Sequence, residues 1–263
     1  MRHQLSLRLC GVFIVLPALL FAVGTSLHSH TPGSMQFPTP IQVLDAFPTL
    51  ATTLPLQSSA WQAMWVTFTR VLFSVSCSLA IGVIFGLVLG TAKGVWLIAQ
   101  PTVDFLRSIP ITFFLPAATL LVGASASYLP WVLSVIPGAL ILMLQIRQGV
   151  ERISPERIHA FILLSGRQTR VSIFLHLTLR EIIPEIVAGL RFATSYAIVI
   201  ISVLEFMSVG SAEMGFGFLI NQLADRPKDA PAMFAGILAF GALGFLLNWA
   251  LETLEDQLSV WRS

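Results

Sequence analysis

The chain has 263 residues and a formal net charge of +2; 56% of its residues are hydrophobic and only 11% are charged. Soluble domains carry about 25% charged residues, so a mean hydropathy of +0.84 excludes an ordinary water-soluble domain and points to the bilayer as solvent. No basic tail or aromatic-interleaved basic patch marks a nucleic-acid binder, and two cysteines at unrelated positions, Cys10 and Cys77, make no metal-ligand pattern.

A spanning helix needs about 20 mainly apolar residues, each rising about 1.5 Å through a core of about 30 Å. Residues 9–27 meet that length without a charge. Arg2 and Arg8 ahead of this run also fit a signal peptide. The run is longer than a signal core and no small-residue cleavage site is clear, which favours retention. The next runs are 65–91, with Arg70 near its start, and 103–122, broken by Pro110 and Pro116. Residues 129–146, 182–207 and 232–251 complete the set. The expected fold is therefore an all-α polytopic membrane protein of about six transmembrane helices.

Positive residues set orientation. With the N-terminus inside, Arg2, Arg8, Lys93, Arg147, Arg152, Arg157, Arg167, Arg170, Arg180 and Arg262 fall on the cytoplasmic side. Only Arg226 and Lys228 fall clearly outside, flanked by Asp225 and Asp229, and residues 29–60 hold no Lys or Arg. Both termini are then cytoplasmic. The chain divides into an N-terminal span and external lead-in (1–60), a core (61–251) with a cytoplasmic loop at 147–181, and a cytoplasmic tail (252–263).

The 147–181 loop reads as two short helices. Ser154 suits an N-cap, Pro155 the first helical position and Glu156 the positive helix end. Ile158, Phe161, Ile162 and Ser165 lie on or near one face, and Gly166 serves as the stop. A second helix, about 168–179, carries Val171, Phe174 and Leu177 on one side, with Arg167, Arg170 and Arg180 around it. Such a hairpin suits anionic lipid headgroups or a groove on a soluble partner.

Charges inside spans are costly and so carry information. Arg70 reads either as a basic group near a translocation path or as a snorkelling interface residue. Arg107 precedes Pro110, which removes a helix hydrogen bond and can open the backbone there; the alternative is a cytoplasmic-side charge beside a packing kink. Glu205 lies 16 residues after Gly189, about 24 Å along a helix, near the external end of its span. It either pairs with Arg70, helps form an external gate, or hydrogen-bonds nearby backbone. Arg191 reads as a cytoplasmic anchor. His3, His28, His30, His159 and His176 are scattered, and His28 and His30 read as solvated loop residues rather than metal ligands. No glycine-rich phosphate loop followed by Lys-Ser or Lys-Thr is present. Without mid-span acidic relays or paired catalytic groups, a secondary transporter and a membrane enzyme are both disfavoured.

The sequence resembles the permeases of bacterial ABC importers, in the nitrate, sulfonate, taurine and bicarbonate group. The likeness runs through Phe37-Pro-Thr-Pro, Thr67-Phe-Thr-Arg70, Gly86-Leu-Val-Leu-Gly90, Pro101 to Pro110, Pro184-Glu-Ile-Val-Ala-Gly189-Leu-Arg191, Glu205-Phe-Met, Gly215-Phe-Gly217 and Phe234-Ala-Gly236. The resemblance implies a type I importer permease that binds no cofactor itself. ATP and Mg would sit on a partner ATPase dimer, beside a second permease copy or paralogue and an extracytoplasmic solute-binding protein, in the bacterial inner membrane. It also implies that the loop carrying Glu156, Ala160, Phe161, Gly166, Arg170 and Phe174 docks on the ATPase. Gly215 and Gly217 would allow tight turns beneath an external cap. The family's coupling loop ordinarily reads Glu-Ala-Ala, three residues, Gly. Here Ala160-Phe161-Ile162 stands in place of Glu-Ala-Ala, and the gap from Gly166 to Phe174 is about one residue long. The implied solute is a small anion, such as a sulfonate or nitrate, with a neutral or aromatic vitamin-precursor-like solute as the alternative.

Overall fold

The structure, a computed structural model, describes residues 38–52, 60–123, 127–166, 169–207, 215–226 and 229–258, together with Leu19 and Val23. The expected first span, apart from those two residues, lies outside the described residues. So do Arg2, His3, Arg8, Cys10, His28, His30, Phe37, Arg167, Lys228 and Arg262. Every regular element among the described residues is helical.

Four of the described helices are long and apolar enough to cross a membrane: Ala60–Thr91, Leu129–Glu151, Val171–Phe206 and Ala230–Gln257. In chain order the elements are α1 (Pro40–Thr52), α2 (Ala60–Thr91), α3 (Lys93–Ser108), a 3₁₀ turn (Ile111–Phe113) and α4 (Phe114–Val122). There follow α5 (Leu129–Glu151), α6 (Pro155–Ser165), α7 (Leu179–Phe206), α8 (Phe216–Ala224) and α9 (Ala230–Leu258).

The centre of the bundle is a parallel pair, α2 and α5, joined by small residues at four-residue spacing. Side chains four apart share one helix face. Ser74, Ser78, Gly82, Gly86 and Gly90 are buried along one stripe of α2. They meet Ser134, Gly138, Leu142, Ile146 and Val150 of α5 in the same order. Ser74 hydrogen-bonds Ser134. A Cβ added at Gly86 would lie 2.8 Å from Ile146 Cβ, and one at Gly90 would lie 2.8 Å from Val150 Cβ. Lipid tails are as apolar as leucine, so helices in a bilayer gain little from hydrophobicity alone and pack through such close backbone approach. α7 runs antiparallel against an adjoining face of α5. A Cβ on Gly189 would lie 2.9 Å from Leu142 Cδ2, and one on Gly149 would lie 2.6 Å from Glu185 Cγ.

The run expected as one span over 103–122 is two helices. Ile109 is extended (φ −86°, ψ 122°), as the residue before a proline tends to be. Pro116 is the third residue of α4, where its missing N–H leaves no bond unmade. The helix expected separately at 168–179 also differs. A helical turn (Arg170–Ile173) passes into a π turn (Phe174–Thr178) and straight on into α7, so Val171–Phe206 is a single rod. A π turn bonds i to i+5 and encloses one residue more than an α turn. The helix that carries the last expected span, α9, runs on to Leu258.

α1 falls in the lead-in expected to be a loop. Thr39 and Gln42 form a reciprocal capping box, with the Thr39 N–H donating to Gln42 Oε1 (2.9 Å) and the Gln42 N–H to Thr39 Oγ1 (3.4 Å). Pro40 occupies the first helical position. Val43, Ala46 and Leu50 pack on Ala60 and Ala63 of α2, on Leu219 and Leu223 of α8, and on Ala235 of α9.

Candidate functional site

Two polar constellations stand at opposite ends of α7. At its C-terminal end Glu205 is 2% exposed and Arg70 of α2 is 4% exposed. Arg70 Nη1 donates to Glu205 Oε1 at 2.7 Å. The other carboxylate oxygen accepts from Thr67 Oγ1 (2.7 Å) and from the Gly217 N–H (3.1 Å). The Phe216 N–H donates to Thr67 Oγ1 at 2.7 Å.

Gly215, the residue before α8, caps that helix with no side chain. The orphan N–H groups of its first turn are instead satisfied by Thr67 of α2 and Glu205 of α7, and the carboxylate lies where the helix dipole favours negative charge. The glycines serve this approach. A Cβ at Gly215 would collide with the Glu205 carboxyl group, and one at Gly217 would lie 2.8 Å from Glu205 Cβ. Gly215 has φ −81° and ψ 173°, ordinary extended backbone, so close packing and not a tight turn calls for glycine here.

The junction is buried. Arg70 neither snorkels nor stands open to solvent, since its side chain is 5% exposed. Of the alternatives for Glu205, the structure has both the Arg70 pair and the bond to nearby backbone. Arg107 is not brought here: it pairs with Asp104 at 3.4 Å, and both side chains are exposed. Pro110 is exposed at the break between α3 and α4. Thr67 is the residue whose role sequence reading missed, although it stands one turn from Arg70 on the same face.

At the N-terminal end of α7 the hairpin projects. Ser154 Oγ accepts from the Arg157 N–H (3.4 Å), and Gly166 closes α6 in the left-handed region (φ 64°) with its N–H on Ile162 O (3.0 Å). No residue of α6 is buried. Ala160 and Gly166 are exposed, Phe161 and Phe174 are half-buried, and Leu163 and Leu164 are 83% and 89% exposed. Hydrogen bonding to the helix-start backbone, with help from the Ser154 hydroxyl and nearby His159, holds the Glu156 carboxyl below its ordinary pKa. Arg170 begins the turn into α7.

Two ion pairs tie the hairpin to the foot of α7: Arg157 to Glu181 at 2.6 Å and Arg152 to Glu185 at 3.3 Å. One step further along α7, Arg191 reaches Glu255 (2.8 Å) and Glu252 (3.8 Å) of α9, which makes it an anchor between spans. Pro184 and Gly189 are buried on the same helix. Arg147 lies over the Trp96 ring at 3.7 Å and joins α5 to α3.

Long apolar helices, with a projecting capped hairpin between two of them and a buried polar junction at the far end, fit a multi-pass membrane protein. Residues 78–260 match the family described as binding-protein-dependent transport system inner membrane component, and the chain belongs to that family. It is 26% identical over 254 residues to the taurine transport system permease protein TauC of Escherichia coli (strain K12), covering 95% of this chain and 88% of that one. It is 24% identical over 255 residues to a probable ABC transporter permease of Brucella abortus (strain 2308), covering 97% and 98%. In fold it is similar to a chain of the MetNI methionine ABC transporter in an inward-facing conformation, with a TM-score of 0.62 and 18% identity over 75% of this chain and 96% of that chain. The chain is thus a membrane-spanning permease subunit of an ABC importer.

Proposed function

We propose that the chain forms one half of a translocation path for a small organic anion of the sulfonate type. It is driven by an ATPase subunit that grips α6 and the following turn from the cytoplasm. The observation that carries the docking reading is an amphipathic helix capped at both ends, with no buried residue and with Leu163 and Leu164 almost fully exposed. Such a surface is the kind that a partner groove covers. The second half of the path is another copy or a paralogue. ATP and Mg belong to the ATPase, an external binding protein delivers the solute, and both termini of this chain are cytoplasmic. ATP-driven closure of the ATPase pair pulls on the hairpin, and the spans tilt between inward- and outward-facing states.

The solute assignment is supported by the likeness to a taurine permease. One observation favours the alternative, a neutral or aromatic solute: Arg70 is buried and paired with Glu205, so it does not stand open to attract an anion. Substitution Phe161→Asp in a tagged chain tests the docking. The ATPase that co-purifies with the parent should be lost from the variant while the variant stays folded in nanodiscs. Equal recovery of the ATPase rules the docking out. Uptake of a labelled, amine-free alkanesulfonate against an uncharged pyrimidine by the same complex separates the two solute classes.

A further inference from the structure

We propose that α1 is an interfacial helix, seated in the phospholipid headgroup layer of the leaflet opposite the hairpin, with one flank in the acyl chains. At about 100° per residue, the circumference of α1 divides into three sectors. Val43, Ala46 and Leu50 face the bundle. Ile41, Leu44 and Phe47 form one outer flank, 71%, 65% and 37% exposed. Gln42 and Asp45 form the other outer flank, also exposed. A helix that only capped the bundle in water would have no use for an apolar outer flank; a helix lying at a lipid–water boundary needs both flanks.

Depth supplies the second argument. The 32 residues of α2 rise about 48 Å, close to the about 40–45 Å of a bilayer with its headgroups. With the last turn of α2 at one surface, its first turn lies at the other, and α1 packs beside Ala60 and Ala63 of that first turn. Trp61 and Trp65, 71% and 57% exposed, mark the same level, as tryptophans do at membrane interfaces. Just below them Leu72 and Phe73 are exposed and continue the apolar surface downward. Residues 29–60 contain no Lys or Arg, so apolar area and not attraction to anionic headgroups holds the helix. Zwitterionic lipid is sufficient. The inference rests on membrane embedding alone and is independent of the ATPase and the solute.

Nitroxide labels test it in phosphatidylcholine nanodiscs. The parent carries Cys10→Ala and Cys77→Ala, and single labels are placed at Leu44→Cys, Gln42→Cys and, within α2, Ile84→Cys, all at exposed side chains. The Leu44 label should relax with oxygen and resist a water-soluble nickel chelate, as the Ile84 label does, and the Gln42 label should do the reverse. A Leu44 label as open to nickel as the Gln42 label overturns the proposal, because that flank is then in water. A Leu44 label reached by neither agent also overturns it, because a protein surface, a second copy or a binding protein, then covers the flank. Nickel access at Ile84 would instead fault the embedding of the bundle itself.

Discussion

The two ends of α7 handle charge in opposite ways. At one end Arg70, Glu205 and Thr67 are withdrawn from solvent, and every carboxylate oxygen has a donor. At the other, the Arg152 and Arg157 side chains are 65% and 58% exposed, although their partners Glu185 and Glu181 are only 11% and 15% exposed. A dry pair in low dielectric fixes one geometry and is expensive to break; a wet pair is screened, weak and easily remade. The same chemistry therefore makes a fixed junction of three helices at one end and a compliant tether at the other. On the proposed docking, the compliant end is the one an ATPase would pull.

The sharpest way to break the contrast is Glu205→Ala. It takes the Glu205 carboxylate away from buried Arg70 and removes an acceptor from the first turn of α8. The expected loss is about 3–5 kcal/mol, read as a lowered thermal midpoint in detergent. The double variant Arg70→Met with Glu205→Leu should recover much of it, and a double variant no better than the single would mean that the pair is not the stabilising unit. Gly217→Ala comes next, at about 1–3 kcal/mol for forcing a methyl group into a filled site. Stability equal to the parent would show that α8 stands further from Glu205 than described. Smallest is Arg157→Ala, at less than about 1 kcal/mol and fading with added salt. A midpoint drop as large as that of Glu205→Ala would erase the distinction between the two ends.

Much of this was written locally in the chain. Ser154-Pro155-Glu156 and Gly166 announce the limits of α6 because caps act on adjacent backbone. The Arg70–Glu205 pair was legible as one of several options because two charges within apolar spans have few alternatives. The Thr39–Gln42 capping box that starts α1 was equally local, but lay hidden in a stretch read as a loop. What the sequence did not reveal depends on distance through space. Glu181 lies 24 residues from Arg157 and Glu185 lies 33 residues from Arg152, and no periodicity links them. Thr67 reads as an ordinary helical threonine until α8 arrives against it. The turn that continues the hairpin into α7 was missed because its sequence suits a short helix, and only packing shows that it does not stop.

The interlock between α2 and α5 has a mechanical consequence. Each glycine of the stripe meets a side chain of the partner at every fourth residue, so a partial slide would drive carbon into carbon along the whole seam. The next register with the same fit lies a full four-residue step away, about 6 Å. These two spans therefore resist sliding past one another and hold a single register.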